Sequence, residues 1–243
     1  DILEDNQKID VFVELANIEF FFGNFEKQIF YLSKFIIVQS DNDKKATALM
    51  NMGTAYIKLG SFIKAIEYLE LGYKLTNKEN RVKFLIKLAQ CQNLLGHYQF
   101  ALDILNNPEK DLARLKTLDS DYIYELAISY YYKMEYLSAQ NLLKSAVELV
   151  KRSDKSILLI KLFNALGMVA YSSGLLDEAI KHYQDALNLA KKHKKISQEA
   201  TILKNLGLIY DKKGQITEAI GNYSTCIKLS QAVNNQLESG YAA

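Results

Sequence analysis

The sequence predicts an all-α protein, a stack of helix-turn-helix hairpins, and three observations predict it. Residues 164–226 state one pattern twice: Ala165-Leu166-Gly167, Tyr171, Gly174, Glu178-Ala179, Tyr183 and Ala186 return forty residues on as Asn205-Leu206-Gly207, Tyr210, Gly214, Glu218-Ala219, Tyr223 and Cys226. A period of that size, with small residues at fixed points and large ones between, marks a stacked helical repeat. The turn markers Gly23, Gly60, Gly96, Met134, Gly174 and Gly214 recur at spacings of 37, 36, 38, 40 and 40, each between two amphipathic stretches. A single proline in 243 residues leaves the helices uninterrupted.

Taken in order, the hairpins read as residues 8–42, 45–78, 81–117, 119–153, 159–195 and 199–234, one array over 1–243 with the start of a further helix at 235–243. Glycine suits the turn because the residue after a helix often takes a left-handed backbone, free of cost only for glycine. Met134 breaks that series. The eighth position of each first helix is small: Ala16, Gly53, Ala89, Ala127, Gly167 and Gly207. A second small series, Ala65, Ala101, Ala139, Ala179 and Ala219, runs along the second helices, with Gln28 in its place in the first hairpin. Small residues at facing sites let helices approach. Leu15, Met52, Leu88, Leu126, Leu166 and Leu206 then wedge between successive hairpins, with Phe25, Phe62, Tyr98, Tyr136, Leu176 and Ile216 from the second helices. The third hairpin is irregular, since Asn107-Pro108 cuts its second helix short. Residues 109–116 read as an extra short helix, and a local kink is expected there between the third and fourth hairpins.

These positions resemble the tetratricopeptide repeat, whose pattern is large-Leu-Gly, Tyr, Gly, aromatic, Ala, aromatic, Ala along two helices. The match covers nearly the whole chain and is strongest in the second, fifth and sixth hairpins. The proline that usually closes each repeat is missing, and the 36–40-residue period is long for the family. The resemblance implies a right-handed superhelical solenoid with the first helices lining its concave face.

Composition narrows the function. Hydrophobic residues at 49% supply a continuous core, and 30 basic against 28 acidic residues, net +2, give no field directed at nucleic acid or an anionic membrane. No apolar run reaches the roughly 20 residues that span a bilayer. Cys91 and Cys226 fall at core positions and read as buried, reduced thiols. The chain opens without methionine and stops within a helical pattern, so it reads as a piece of a longer protein, expected to be cytoplasmic. Its oligomeric state is open.

No catalytic site is legible. His182 and His193 share a face of one helix but stand about 16 Å apart, too far to share a metal ion. Neither a C-x-x-C nor an H-E-x-x-H spacing occurs, and no glycine-rich phosphate loop. No cofactor or metal is expected. The run Lys191-Lys192-His193-Lys194-Lys195 falls at a helix end, where cations complement the negative pole.

The groove implied by the resemblance carries the functional reading: a non-catalytic scaffold taking a protein or peptide partner, with no nucleic acid and no membrane. Its candidate residues are Asn17, Asn51, Lys83, Lys87, Tyr124, Ile128, Tyr131, Asn164, Met168, Tyr171, Lys204 and Asn205. Side-chain amides both donate and accept, and so can grip a peptide backbone. Tyr124, Tyr131, Tyr132 and Tyr171 offer aromatic surface for specificity. Asn17, Asn51, Lys83 and Lys87 also fill four of five places in the two-carboxylate clamp by which some relatives hold chaperone tails. Val13 replaces the clamp's first lysine, and Lys87 its final arginine, losing the bidentate fork. The alternative is a regulatory or sensory module of a larger signalling protein, responding to a peptide or small ligand.

Overall fold

The structure, a computed structural model, describes residues 2–106, 120–151 and 156–241. Those residues form twelve helices and no strand: α1 Ile2–Phe21, α2 Phe25–Val38, α3 Asn42–Lys58, α4 Phe62–Leu75, α5 Lys78–Leu94, α6 Tyr98–Leu105, α7 Ser120–Tyr132, α8 Tyr136–Lys151, α9 Ser156–Ser172, α10 Leu176–Lys192, α11 Ile196–Lys212 and α12 Ile216–Tyr241. Odd-numbered helices are the first helices of six hairpins and even-numbered ones the second. The chain forms two compact units, residues 1–125 and 126–243, with the boundary inside α7.

One cap closes every hairpin. The second residue after each first helix takes a positive φ, between 63° at Met134 and 82° at Gly96. The next residue donates its N–H back across the whole turn: Asn24 to Glu19, Ser61 to Tyr56, His97 to Gln92, Glu135 to Tyr130, Leu175 to Ala170 and Gln215 to Tyr210, at 2.8–2.9 Å. This is the Schellman pattern, which satisfies carbonyls the helix end would leave open. Met134 therefore adopts the glycine geometry despite its Cβ. The same cap recurs once between hairpins, where Lys194 stands at φ 53° and Lys195 donates to Ala190. The basic run is thus the end of α10 and its turn, as its sequence suggested.

Two side-chain caps start helices in the first unit. Asp41 accepts from the Asp43 and Lys44 amides, and Asn77 from the Asn80 amide; each such cap contributes about 1 kcal/mol. Ala16, Leu32, Phe35, Ala48 and Met52 form one core, and Ala46, Ala65, Leu69, Phe84, Leu88 and Cys91 the next. In the second unit Ile160, Ala170, Tyr183, Ala186, Ile202, Leu206 and Ile209 close the core between α9, α10 and α11.

The small first-helix residues face large partners as well as small ones. A Cβ on Gly53 would meet the Leu69 side chain at 2.6 Å, with the Ala65 carbonyl at 3.3 Å. On Gly167 and Gly207 it would meet the Tyr183 and Tyr223 rings at 2.7 and 2.6 Å. A bare backbone at these points lets a ring lie flat across the helix.

Two expectations change, and one exposure is new. The helix expected from residue 235 is not separate: α12 runs unbroken from Ile216 to Tyr241, and Val233-Asn234-Asn235 offers neither glycine nor proline to stop it. Cys226 is half-buried rather than core. Val11 and Ile18 are 53% and 49% exposed, while every equivalent residue, from Ala48 and Ala55 to Ile202 and Ile209, is buried. The difference is cover: among the described residues no second helix precedes α1. The extra helix and kink expected at 107–119 lie outside the described residues, and α6 ends at Leu105.

Candidate functional site

In the second unit, three first helices bring their exposed faces to one hollow. Tyr131 comes from α7, Asn164, Met168 and Tyr171 from α9, and Thr201, Lys204, Asn205 and Leu208 from α11. With Tyr183 of α10 they line a cavity of about 360 Å³, within the size range of ligand sites. On α11 Thr201 lies three and four residues before Lys204 and Asn205, and Leu208 lies four and three after them, so the helical period puts all four on one face.

Tyr183 is the buried member, 3% exposed, and it lies where it does because Gly167 has no Cβ. Burial first, then the Tyr131 and Tyr171 hydroxyls, hold its phenol above the ordinary tyrosine range. It therefore stays protonated and can donate at neutral pH. Tyr131 shares a 3.2 Å hydrogen bond with Ser172 and packs against Tyr132 and Tyr136.

The two asparagines are bonded to each other. Asn205 Nδ2 donates to Asn164 Oδ1 at 3.2 Å, and Asn164 Nδ2 reaches Met168 Sδ at 3.8 Å. Each amide keeps capacity beyond these bonds: Asn205 its carbonyl oxygen, and both a second N–H. The pair is thus oriented in advance, which lowers the entropy lost when a ligand binds.

Charge in the cavity has one sign. Lys204 is the lining's only ionised residue, and among the described residues it makes no ion pair or hydrogen bond. A second ammonium, that of Lys212, stands 4.9 Å from the centre of the Tyr171 ring. Lys213 differs, being held by Asp177 at 2.6 Å. Thr201 donates to the Ser197 carbonyl at 3.0 Å, so it offers the cavity only acceptor capacity.

Half of the residues singled out in the sequence therefore meet around one space: Tyr131, Asn164, Met168, Tyr171, Lys204 and Asn205. The others do not. Ile128, expected on the groove, is 8% exposed between the buried Ala127 and Ser129, where α7 is enclosed on more than one side. Asn17, Asn51 and Lys83 are exposed on first helices of the first unit, and Lys87 and Tyr124 are half-buried there. Of the clamp lysines, Lys83 donates to Asn80 at 2.9 Å and Lys87 to Gln90 at 3.4 Å. Glu125, next to Tyr124 on α7, is buried and accepts from Asn93 Nδ2 at 3.0 Å.

Tyr183, Thr201 and Leu208 line the cavity without being among the candidates the sequence singles out. The signal for Tyr183 was present in Gly167, whose missing Cβ leaves room for a ring one helix away. His182 stacks on Phe163, with Nε2 3.5 Å from Glu178 Oε1. Among the described residues no three His, Cys, Asp or Glu side chains are placed to share a metal ion, and no helix is long and apolar enough to cross a membrane.

Comparison with known proteins agrees with the repeat architecture. Tetratricopeptide repeat profiles match residues 119–192, 46–79 and 200–233, together more than half of the chain. The human tetratricopeptide repeat protein 29 is 26% identical over 188 residues, 70% of this chain; the chain spans 39% of that relative's length. Among solved structures, a Rap protein complexed with Competence and Sporulation Factor matches 95% of this chain and 77% of its own, with a TM-score of 0.73 at 15% identity. The APC/C hetero-tetramer Cut9-Hcn1 matches 95% of this chain and 43% of its own, with a TM-score of 0.72 at 17% identity. At such identities the likeness is one of fold. With the turns, the small-residue register and the matched segments in agreement, the chain belongs to the tetratricopeptide repeat family.

Proposed function

We propose that this chain is a non-catalytic protein-interaction module that holds a peptide segment of its partner against the first helices of the second unit. The observation that carries the reading is the cavity, around which six of the residues that the family resemblance assigns to the groove stand together. A pre-bonded amide pair to register a peptide backbone, beside tyrosine and methionine surface to take side chains, is what such recognition needs. The fold is compatible: the Rap and Cut9-Hcn1 structures it resembles each hold a partner of their own.

The test is selection of displayed random peptides on the purified chain, with Tyr131→Ala/Asn205→Ala as the comparison. The expected result is a sequence consensus lost in the double variant, while Asn51→Ala, in the first unit, retains it. Enrichment that survives Tyr131→Ala/Asn205→Ala would move the site elsewhere. No enrichment at all would refute the peptide reading.

A further inference from the structure

We infer that the turn edge of the first unit is a second interaction surface, and that the partner it fits is an acidic amphipathic helix laid across the three hairpin tips. The surface is separate from the cavity of the second unit and needs nothing from the peptide reading.

The three tips share one geometry. Gly23, Gly60 and Gly96 carry the same positive-φ cap, so the residues around them occupy matching places. Large apolar side chains stand in water there: Phe21 is 80% exposed, Ile63 68%, Leu94 47% and Phe100 64%. Phe21 and Leu94 come two residues before their glycines, Ile63 and Phe100 three and four after. None of the four belongs to the cores of the first unit. The two phenyl rings alone leave about 300 Å² of apolar surface in water, the size at which a patch marks an interaction site. Even with Ile63 and Leu94 the row falls short of the roughly 800 Å² per partner that a stable dimer buries. A second copy of the chain is therefore not what covers it.

Spacing selects a helix. Successive hairpins pack second helix on first helix, α2 on α3 and α4 on α5, so neighbouring tips stand about 10 Å apart, the thickness of one helix layer. Seven residues of a helix rise about 10.5 Å and return nearly to the same face. One apolar stripe of a partner helix thus meets the three tips in turn. An extended segment makes the same step in about three residues, and its third side chain points the opposite way.

Charge sets the sign of the stripe's flanks. Lys27, Lys58 and Lys64 are exposed among the apolar residues, and residues 56–64 and 92–100, the second and third tips, include no acidic residue. On the first tip Glu19 is held by Asn24 at 2.7 Å and approached by Lys27 at 3.9 Å, which leaves Glu26. The second unit also exposes apolar tip residues, Met134 and Leu137, but beside the exposed carboxylates of Glu135 and Asp177. Complementarity of charge directs an acidic helix to the first unit.

The probe is a displayed library of three-heptad helices, with apolar residues varied at positions a heptad apart and Glu, Gln or Lys varied beside them. Selection on the whole purified chain should yield bulky apolar residues at all three heptad positions, flanked by Glu. These helices should lose about tenfold in affinity for Phe21→Ser/Ile63→Ser/Phe100→Ser, and as much when a central residue of the helix becomes proline. Leu137→Ser, and Tyr131→Ala/Asn205→Ala in the cavity, should leave their binding within about twofold. Lys58→Glu/Lys64→Glu should turn the selection toward Lys-flanked helices, and added salt should weaken the Glu-flanked ones. The triple serine variant should keep its circular dichroism and urea midpoint, since the three side chains lie outside the cores. Failure to select any helix, binding that survives the serine substitutions, or a flank preference unchanged in Lys58→Glu/Lys64→Glu would overturn the inference. Selection of random peptides at the cavity is untouched by each of these outcomes.

Discussion

Two glycines with nearly the same surroundings should respond in opposite ways to the same substitution. Gly167 and Gly207 both sit in first helices beneath a tyrosine ring, and a new Cβ would come within 2.7 and 2.6 Å of it. Alanine in place of glycine within a helix contributes about 1 kcal/mol of stability, and overpacking a rigid site costs about 1–3 kcal/mol. Tyr223 is half-buried on α12 and can swing aside, so Gly207→Ala should keep most of the gain, about 0.5–1 kcal/mol. Tyr183 is buried in the core between α9, α10 and α11, and its one open direction is the cavity. Gly167→Ala should therefore lose about 1 kcal/mol net, a difference of about 2 kcal/mol between the two variants. It should also weaken peptide binding, because any relief pushes the ring into the space the ligand takes. Urea denaturation followed by far-ultraviolet circular dichroism measures the first effect. Equal shifts of midpoint in the two variants would refute the claim that confinement of the ring decides the outcome.

Three further predictions concern one turn and two buried groups. Met134 pays about 1–2 kcal/mol for its left-handed backbone and is 74% exposed; Met134→Gly should raise the urea midpoint by the equivalent of about 0.5–1 kcal/mol after the entropy of glycine is deducted. Burial pushes the Cys91 thiol up to about 12, with nearby Lys87 opposing and Glu125 adding, and burial likewise pushes Tyr122 up to about 12. In the native protein at pH 8, iodoacetamide should modify Cys226 and spare Cys91 until urea is added. Both raised groups bind protons more tightly folded than unfolded, so the stability they contribute is full below pH 9 and should fall as pH rises from 9 toward 12. A midpoint flat across that range would contradict the burial assigned to them.

Much of the fold was legible because the repeat states each rule several times. The turn glycines fixed the hairpins, and their register was strong enough to carry Met134 into the same geometry. The same register placed Tyr131, Asn164, Met168, Tyr171, Lys204 and Asn205 on one side of their helices. What it could not give was the neighbour. Ile128 has the groove position of Met168 and Leu208, yet it is buried, because burial depends on what covers a helix and not on its own period. Asn164 and Asn205 looked like two independent grips; their mutual bond arises between helices and appears only when both are in place. Tyr183 was hidden by its regularity, since an aromatic at that point of the second helix reads as packing.

Packing in this chain passes from each helix to its neighbours in sequence, with lighter contact between successive first helices. In kinetic terms that is low contact order: the closures that make the core are short, and the chain should fold fast for its size. It also makes amide exchange a local report. Hairpins that exchange few contacts with distant ones can open separately, so a peptide seated at Tyr183 and Lys204 should slow exchange in α9 to α11 while α2 to α4 keep their rates. The protection map of a bound complex would then read as an address, naming the hairpins that hold the ligand.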